Sequence, residues 1–273
     1  MLIALLQMFL LIACGNAWQR MAPDHLSPTG HRRALTDLVF YLLLPAMVID
    51  VIWHAPLNLS SLYISFLAAC GVGSGLFIIW LFLKRLNCLP RQKGALLLAA
   101  AFPNATYLGL PVLDQVIGPA TRSTVLQYDL FACTPILLSF GMLIANHFGD
   151  NKGELRPTRS LSKVVPLWAV AVGVLLNMSG LRQPDFLHGF LATLAGGVVP
   201  LMLIVLGMSI RWQSLHWRFA PLLLPVIVTS LVLVPIVVLS LSHFIGLSNE
   251  LIEQVVIVAA MPTMVFGIVI SER

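Results

Sequence analysis

Nine apolar segments, each close to the length that crosses a hydrocarbon layer, constrain this chain more than any other feature. A spanning helix needs about 20 apolar residues. Runs of that kind fall near 1–19, 37–53, 62–83, 94–113, 123–146, 162–178, 187–210, 219–242 and 250–270. Hydrophobic residues make up 59% of the 273 and charged residues only 10%. A soluble body of this size has no way to hide that much apolar surface. The chain therefore reads as an all-α integral membrane protein. The 37–53 and 162–178 runs are short, which fits helices partly covered by neighbours.

The basic residues support this parse. With the N-terminus outside, the inside loops hold Arg20, Arg32 and Arg33, then Lys84, Arg85, Arg91 and Lys93, then Lys152, Arg156, Arg159 and Lys163, then Arg211 and Arg218, and finally Arg273. The outside loops hold only Arg122 and Arg182. Such an imbalance is the positive-inside pattern of an inner (plasma) membrane protein of bacterial type, and a span missed in mid-chain would destroy it. The formal charge of +5 is thus a matter of topology. Nucleic-acid binding is excluded as a reading, because no basic stripe is interleaved with exposed aromatics. No basic residue precedes the apolar run that begins at Leu2, which fits an uncleaved first span better than a signal peptide. The four cysteines are scattered without a CxxC pair, and the seven histidines avoid HExxH or HxxxH spacing, so neither a metal nor a cofactor is expected.

Within this frame the stretch Ala99–Leu113 stands apart. It contains Pro103, Pro111, Gly109 and the polar residues Asn104, Thr106 and Tyr107. Proline removes a backbone donor and clashes with the preceding turn, so a smooth helix is not expected here. Freed backbone groups at membrane depth persist only where protein or a water-filled cavity satisfies them. The bland alternative is a proline kink inside a packed bundle. The third segment carries Gly71, Gly73 and Gly75 beside Ala68, Ala69 and Ser74, a small-residue pattern expected at a tight helix seam.

A second interrupted segment tips the balance. Ala100-Ala101-Phe102-Pro103 is matched by Ala259-Ala260-Met261-Pro262, 159 residues later. Leu44-Pro45-Ala46-Met47 is matched by Val199-Pro200-Leu201-Met202, 155 residues later. An aromatic follows each broken-segment proline by four residues, Tyr107 in one case and Phe266 in the other. The chain thus reads as a duplicated unit: 1–146 as a first repeat of five helices, 147–161 as a cytoplasmic linker, and 162–273 as a second repeat of four. An odd number of spans per unit makes the copies inverted. By the same offset a partner for 123–146 would fall near 282–305, past Arg273, so the expectation is five helices plus four without the tenth.

With these segments in place, the sequence resembles the auxin efflux carrier family of organic-anion carriers. Asn104-Ala-Thr-Tyr-Leu-Gly109-Leu-Pro111 is similar to the family's fourth-helix run, with Thr106 where glycine is common. Leu38-Val-Phe-Tyr-Leu-Leu-Leu-Pro45-Ala46 resembles its second helix, and Val199-Pro200 through Gly207-Met-Ser its seventh. Ala259-Ala-Met-Pro262-Thr263-Met-Val-Phe-Gly is similar to its ninth, departing at Thr263 and Phe266, where proline and asparagine are frequent. The resemblance implies two inverted five-helix repeats divided into scaffold and transport domains. It also implies a fourth and a ninth helix that cross where both unwind, with the substrate beside that crossing.

The residues themselves lead to a compatible site. Broken helix ends leave unpaired amides and partial positive charge, a setting for a carboxylate. Asn104, Thr106, Tyr107, Pro262 and Thr263 are the expected substrate contacts, Asn104 serving as ligand, as cap of a half-helix, or both. Pro103, Gly109, Pro111, Pro262 and Gly267 are the expected helix breaks. Among intramembrane acids, Asp129 and then Asp50 are candidates for coupling to a proton or sodium ion; the alternative is a carboxylate snorkelling to the interface. Asp114 and Glu272 read as loop charges. The leading expectation is a secondary carrier moving a small organic anion, such as a mono- or dicarboxylate or an auxin-like acid, by alternating access. A homodimer in the lipid bilayer is its expected assembly. A non-transporting partner or regulatory remnant is the alternative. An intramembrane enzyme ranks below both, since no GxSxG, HExxH or paired aspartates occur. An ion channel lacks the charged ring of a filter.

Overall fold

The structure is a computed structural model that describes residues 2–21, 28–86, 88–148, 164–210 and 220–264. These residues fold into α1 (Leu2–Met21), α2 (Gly30–His54), α3 (Leu59–Leu83), α4 (Pro90–Ala101), α5 (Leu110–Val116), α6 (Thr121–Phe148), α7 (Val165–Met178), α8 (Asp185–Ser209), α9 (Ala220–Ile245) and α10 (Asn249–Ala259). Five of them, α2, α3, α6, α8 and α9, are long and apolar enough to cross a membrane. Large apolar side chains stand fully open on their surfaces, Phe186 at 87% and Phe244 at 90% exposure. In water that would be costly; against lipid it is the ordinary outer face.

Each apolar run contains a helix, but α2 is longer than the 37–53 run. Its first turns carry His31, Arg32, Arg33 and Asp37, which an apolar ruler discounts although polar residues form helical turns readily once hydrogen-bonded neighbours follow. The linker stretch 149–163 lies outside the described residues.

Proline leaves a repeated mark on these helices. Turns that close i to i+5 rather than i to i+4 occur at Val39–Leu43, Ala105–Gly109, Gln127–Cys133, Leu137–Gly141 and Thr229–Leu233. All but Leu137–Gly141 end two residues before a proline: Pro45, Pro111, Pro135 and Pro235. The ring collides with the carbonyl four residues back and offers that carbonyl no N–H. Widening the turn by one residue lets the helix pass the ring without stopping.

The helices form two compact units. The first comprises Met1–Pro56, Leu110–Ser123 and Val164–Trp212, and the second Leu57–Gly109, Thr124–Lys163 and Gln213–Arg273. Each half of the chain contributes to both.

In the first unit, α1 packs on α8 and α7 on α2. A Cβ on Gly15 would run into the Ile204 carbonyl, and one on Gly207 into that of Ile12, so backbone meets backbone there. Asn177 Nδ2 on α7 donates to the carbonyls of Ile52 (3.1 Å), Trp53 (2.8 Å) and Ala55 (2.9 Å), the free end of α2. Asp114 and Arg122 form a two-pronged ion pair, 2.5 and 2.9 Å.

In the second unit, α3 packs on α4, α9 and the wide turn of α6, and α9 on α10. Of the expected small-residue seam, Gly71 and Gly75 face inward. A Cβ at Gly75 would lie 2.9 Å from the Ala101 Cα, and one at Gly71 3.1 Å from the Tyr128 hydroxyl. Gly73 meets nothing within 4 Å and is not part of the seam, since two residues along a helix turn it to another face. Gly246 closes α9 with φ +75°, and the Ser248 hydroxyl caps the Leu251 N–H of α10, so these two helices turn tightly into each other.

Candidate functional site

Two interrupted segments meet in the second unit. α4 ends at Ala101; Phe102 is extended (φ −107°, ψ 105°), and a wide turn begins at Ala105. α10 ends at Ala259, and the chain through Met261–Met264 is not helical. The two stretches lie antiparallel, with Pro103 opposite Thr263. Asn104 N–H donates to the Pro262 carbonyl at 2.8 Å, and Met264 N–H to the Phe102 carbonyl at 3.0 Å. The Thr263 hydroxyl donates to the Ala99 carbonyl at 2.8 Å, one of the acceptors that the end of α4 would otherwise strand. The sequence leads one to expect amides left free by the interruption. Instead the two breaks satisfy much of each other, as buried backbone requires.

The expected site residues converge here. Asn104 is 2% exposed; its carbonyl accepts from the N–H of Leu108 (3.2 Å) and Gly109 (2.9 Å), while its side-chain Oδ1 has no partner among the described residues. Thr106 and Tyr107 are buried in the turn that follows. Gly109 closes that turn, where a Cβ would sit 3.2 Å from the Met261 side chain. Pro111 follows that wide turn directly, in the first turn of α5, and the widened winding carries the chain past its ring. Gly267 and Phe266 lie outside the described residues.

Asp129 belongs to this constellation. It is 1% exposed, and both carboxylate oxygens carry a hydroxyl donor: Thr106 on Oδ2, and Thr134 on Oδ1 at 2.9 Å. The Thr106 backbone N–H is directed at the same carboxylate. Asp50 lies in the first unit, where its Oδ1 is held by Gln183 Nε2 and faces His188 Nδ1, each at 3.0 Å.

Three residues escaped the sequence reading. Thr134 sits five residues after Asp129, a spacing that puts two side chains on one face only if the intervening turn is wide. Thr124 donates to Gln254 Oε1 at 2.5 Å, joining α6 to α10. The buried hydroxyl of Tyr128 has no partner among the described residues. The one local signal was the Thr134-Pro135 pair, since a proline there marks the widened turn ahead of it.

A polytopic helical membrane protein whose interrupted helices pair around buried polar side chains is the kind of body that carries solutes through a bilayer. The family pattern described as "Membrane transport protein" matches residues 1–164 and 156–273, and the chain belongs to that family, as the auxin-carrier-like motifs imply. A transporter of Methanothermobacter thermautotrophicus, described as uncharacterized, is 27% identical over 244 residues, covering 87% of this chain and 78% of its own. Another, from Methanocaldococcus jannaschii, is 24% identical over 258 residues, 87% of this chain and 80% of its own. Family and relatives alike are described as transporters.

Proposed function

We propose that this protein is a secondary carrier that moves a small organic anion, a mono- or dicarboxylate, by alternating access, binding it beside the crossing of 102–104 with 262–264. The observation that carries the reading is the buried antiparallel pairing of the two interrupted segments next to an unpartnered Asn104 Oδ1. Pairing of the backbones fixes the crossing; Asn104 contacts the guest beside it, and Thr106, Tyr107 and Thr263 contact it by exchanging the partners they now hold. Asp129 is the coupling residue, for a proton or a sodium ion. The N-terminus is outside, in an inner membrane of bacterial type, and the carrier assembles as a homodimer.

Inverted duplication underlies this reading, and the packing supports it. The first unit holds the first two spans of each proposed repeat, and the second unit the later ones. Gly15 of α1 lies against Ile204 of α8; 158 residues on, Gly173 of α7 lies against Ile52 and Ile49 of α2, and Ile49 precedes Ile204 by 155. These offsets lie within one residue of the 159 and 155 read from the proline motifs. Uptake of labelled succinate and acetate into vesicles containing the purified protein tests the proposal, with Asn104→Ala expected to cut flux by about 10- to 100-fold. Wild-type flux in that variant would remove Asn104 from the site.

A further inference from the structure

The crossing is unusually poor in positive charge for a site that is to hold an anion. Asp129 is buried and accepts from Thr106 and Thr134, and no basic side chain contributes to its surroundings among the described residues. The titratable neighbours are Tyr128 and Cys133 on its own helix, Cys70 of α3 beside Tyr128, and Tyr107 on the turn carrying Thr106. None is cationic. Meanwhile Asn104 Oδ1, two residues before Thr106, is a buried acceptor without a donor. The site is therefore rich in acceptors, and the Thr106 hydroxyl and amide are already directed at a carboxylate of the chain itself.

We propose that Asp129 is an internal competitor for the cargo: when ionised it holds the Thr106 donors, and the anion binds there only as Asp129 takes up a proton. The inference rests on the anion-carrier reading above and deepens it. The charge balance is simple. Empty, the site carries the single negative charge of Asp129. Loaded, a proton from solvent has formed an O–H bond on Asp129, the Thr106 hydroxyl has turned to the cargo, and a monoanion brings the single negative charge instead. On release the proton leaves Asp129 and the carboxylate recaptures Thr106. Without the proton, two negative charges would share a buried pocket. At about 4 Å and an effective dielectric of about 20, that repulsion weakens binding by roughly three powers of ten. Anion and proton thus travel together, and the site's net charge stays constant through the cycle.

The test uses the purified full chain with acetate and succinate as probes. Proton uptake is read from a pH indicator in weakly buffered solution, and affinity from calorimetry between pH 5 and 8. Expected for the wild type is about one proton taken up per bound acetate, with acetate affinity falling about tenfold per pH unit wherever Asp129 is ionised in the empty protein. Asp129→Asn, a permanently neutral stand-in, is expected to bind acetate at least as tightly as the wild type at pH 5, with no proton uptake and no pH dependence. Infrared difference spectra of the wild type should show a protonated carboxyl appearing as anion binds, and this readout survives if the variant does not fold. Binding without proton uptake, or sodium-dependent binding indifferent to pH, overturns the inference while leaving the carrier reading intact. Failure of the wild type to bind or transport either carboxylate overturns both.

Discussion

The α1–α8 seam and the crossing of the two interrupted segments are both places where backbone meets backbone, yet they are built from opposite materials. At the seam, glycines let two regularly wound stretches touch, Gly15 under the Ile204 carbonyl and Gly207 under that of Ile12. Its helices keep their own hydrogen bonds, and close contact adds dispersion and weak Cα–H···O attraction. At the crossing the helices give up their own bonds and make them with each other, Asn104 N–H to Pro262 and Met264 N–H to Phe102. The seam needs the absence of side chains; the crossing needs particular ones. Rigidity can be had from glycine alone, whereas a polar interior at membrane depth depends on every freed group finding a partner.

Substitutions can pull these two regions apart. Gly207→Ala puts a methyl group into the Ile12 carbonyl and forces backbone to move, with an expected loss of about 3 kcal/mol or more. Thermal unfolding of the detergent-solubilised protein measures it, and an unchanged midpoint would mean the seam is looser than described. Asn104→Ala should do the reverse, cutting transport by about 10- to 100-fold while stability shifts by under about 1 kcal/mol. A variant that instead unfolds would show Asn104 to be structural. Thr263→Val strands the Ala99 carbonyl, for an expected cost of about 1–3 kcal/mol together with weakened substrate affinity; parallel unfolding and uptake assays separate the two effects. Gly73→Ala, on the open face of α3, is expected to be neutral or stabilising by up to about 1 kcal/mol. Destabilisation there would indicate an unseen neighbour.

Much of the fold was legible because hydrocarbon thickness and basic-residue placement act on whole segments. The breaks were legible too, since Pro103 and Pro262 forbid regular helix wherever they fall inside a span. What the residues alone did not reveal is how the breaks are satisfied. Pairing of Pro103 with Thr263 joins positions 160 apart, and nothing local to either specifies it. Gly73 shows the limit of a composition argument: three glycines at alternate positions look like one stripe, but helical geometry puts only Gly71 and Gly75 together. Asp129 was legible as a costly buried acid, and Thr106 as a polar residue at a break. Their contact, and the second hydroxyl from Thr134, depend on a local change of helical pitch that no regular periodicity encodes.

That change of pitch has a wider consequence for α6. A turn that takes in one surplus residue sets back the azimuth of all that follows by about 100° relative to an ideal wheel. α6 carries two such turns, so its final stretch is clocked far from where its opening stretch would place it. Removing one residue from Leu137–Gly141 would restore ordinary winding and leave the Met142–Phe148 end, with Phe148 seated against Gly94, on its present side of the rod. The wide turn absorbs a change in length that an ordinary helix would pass on as a rotation.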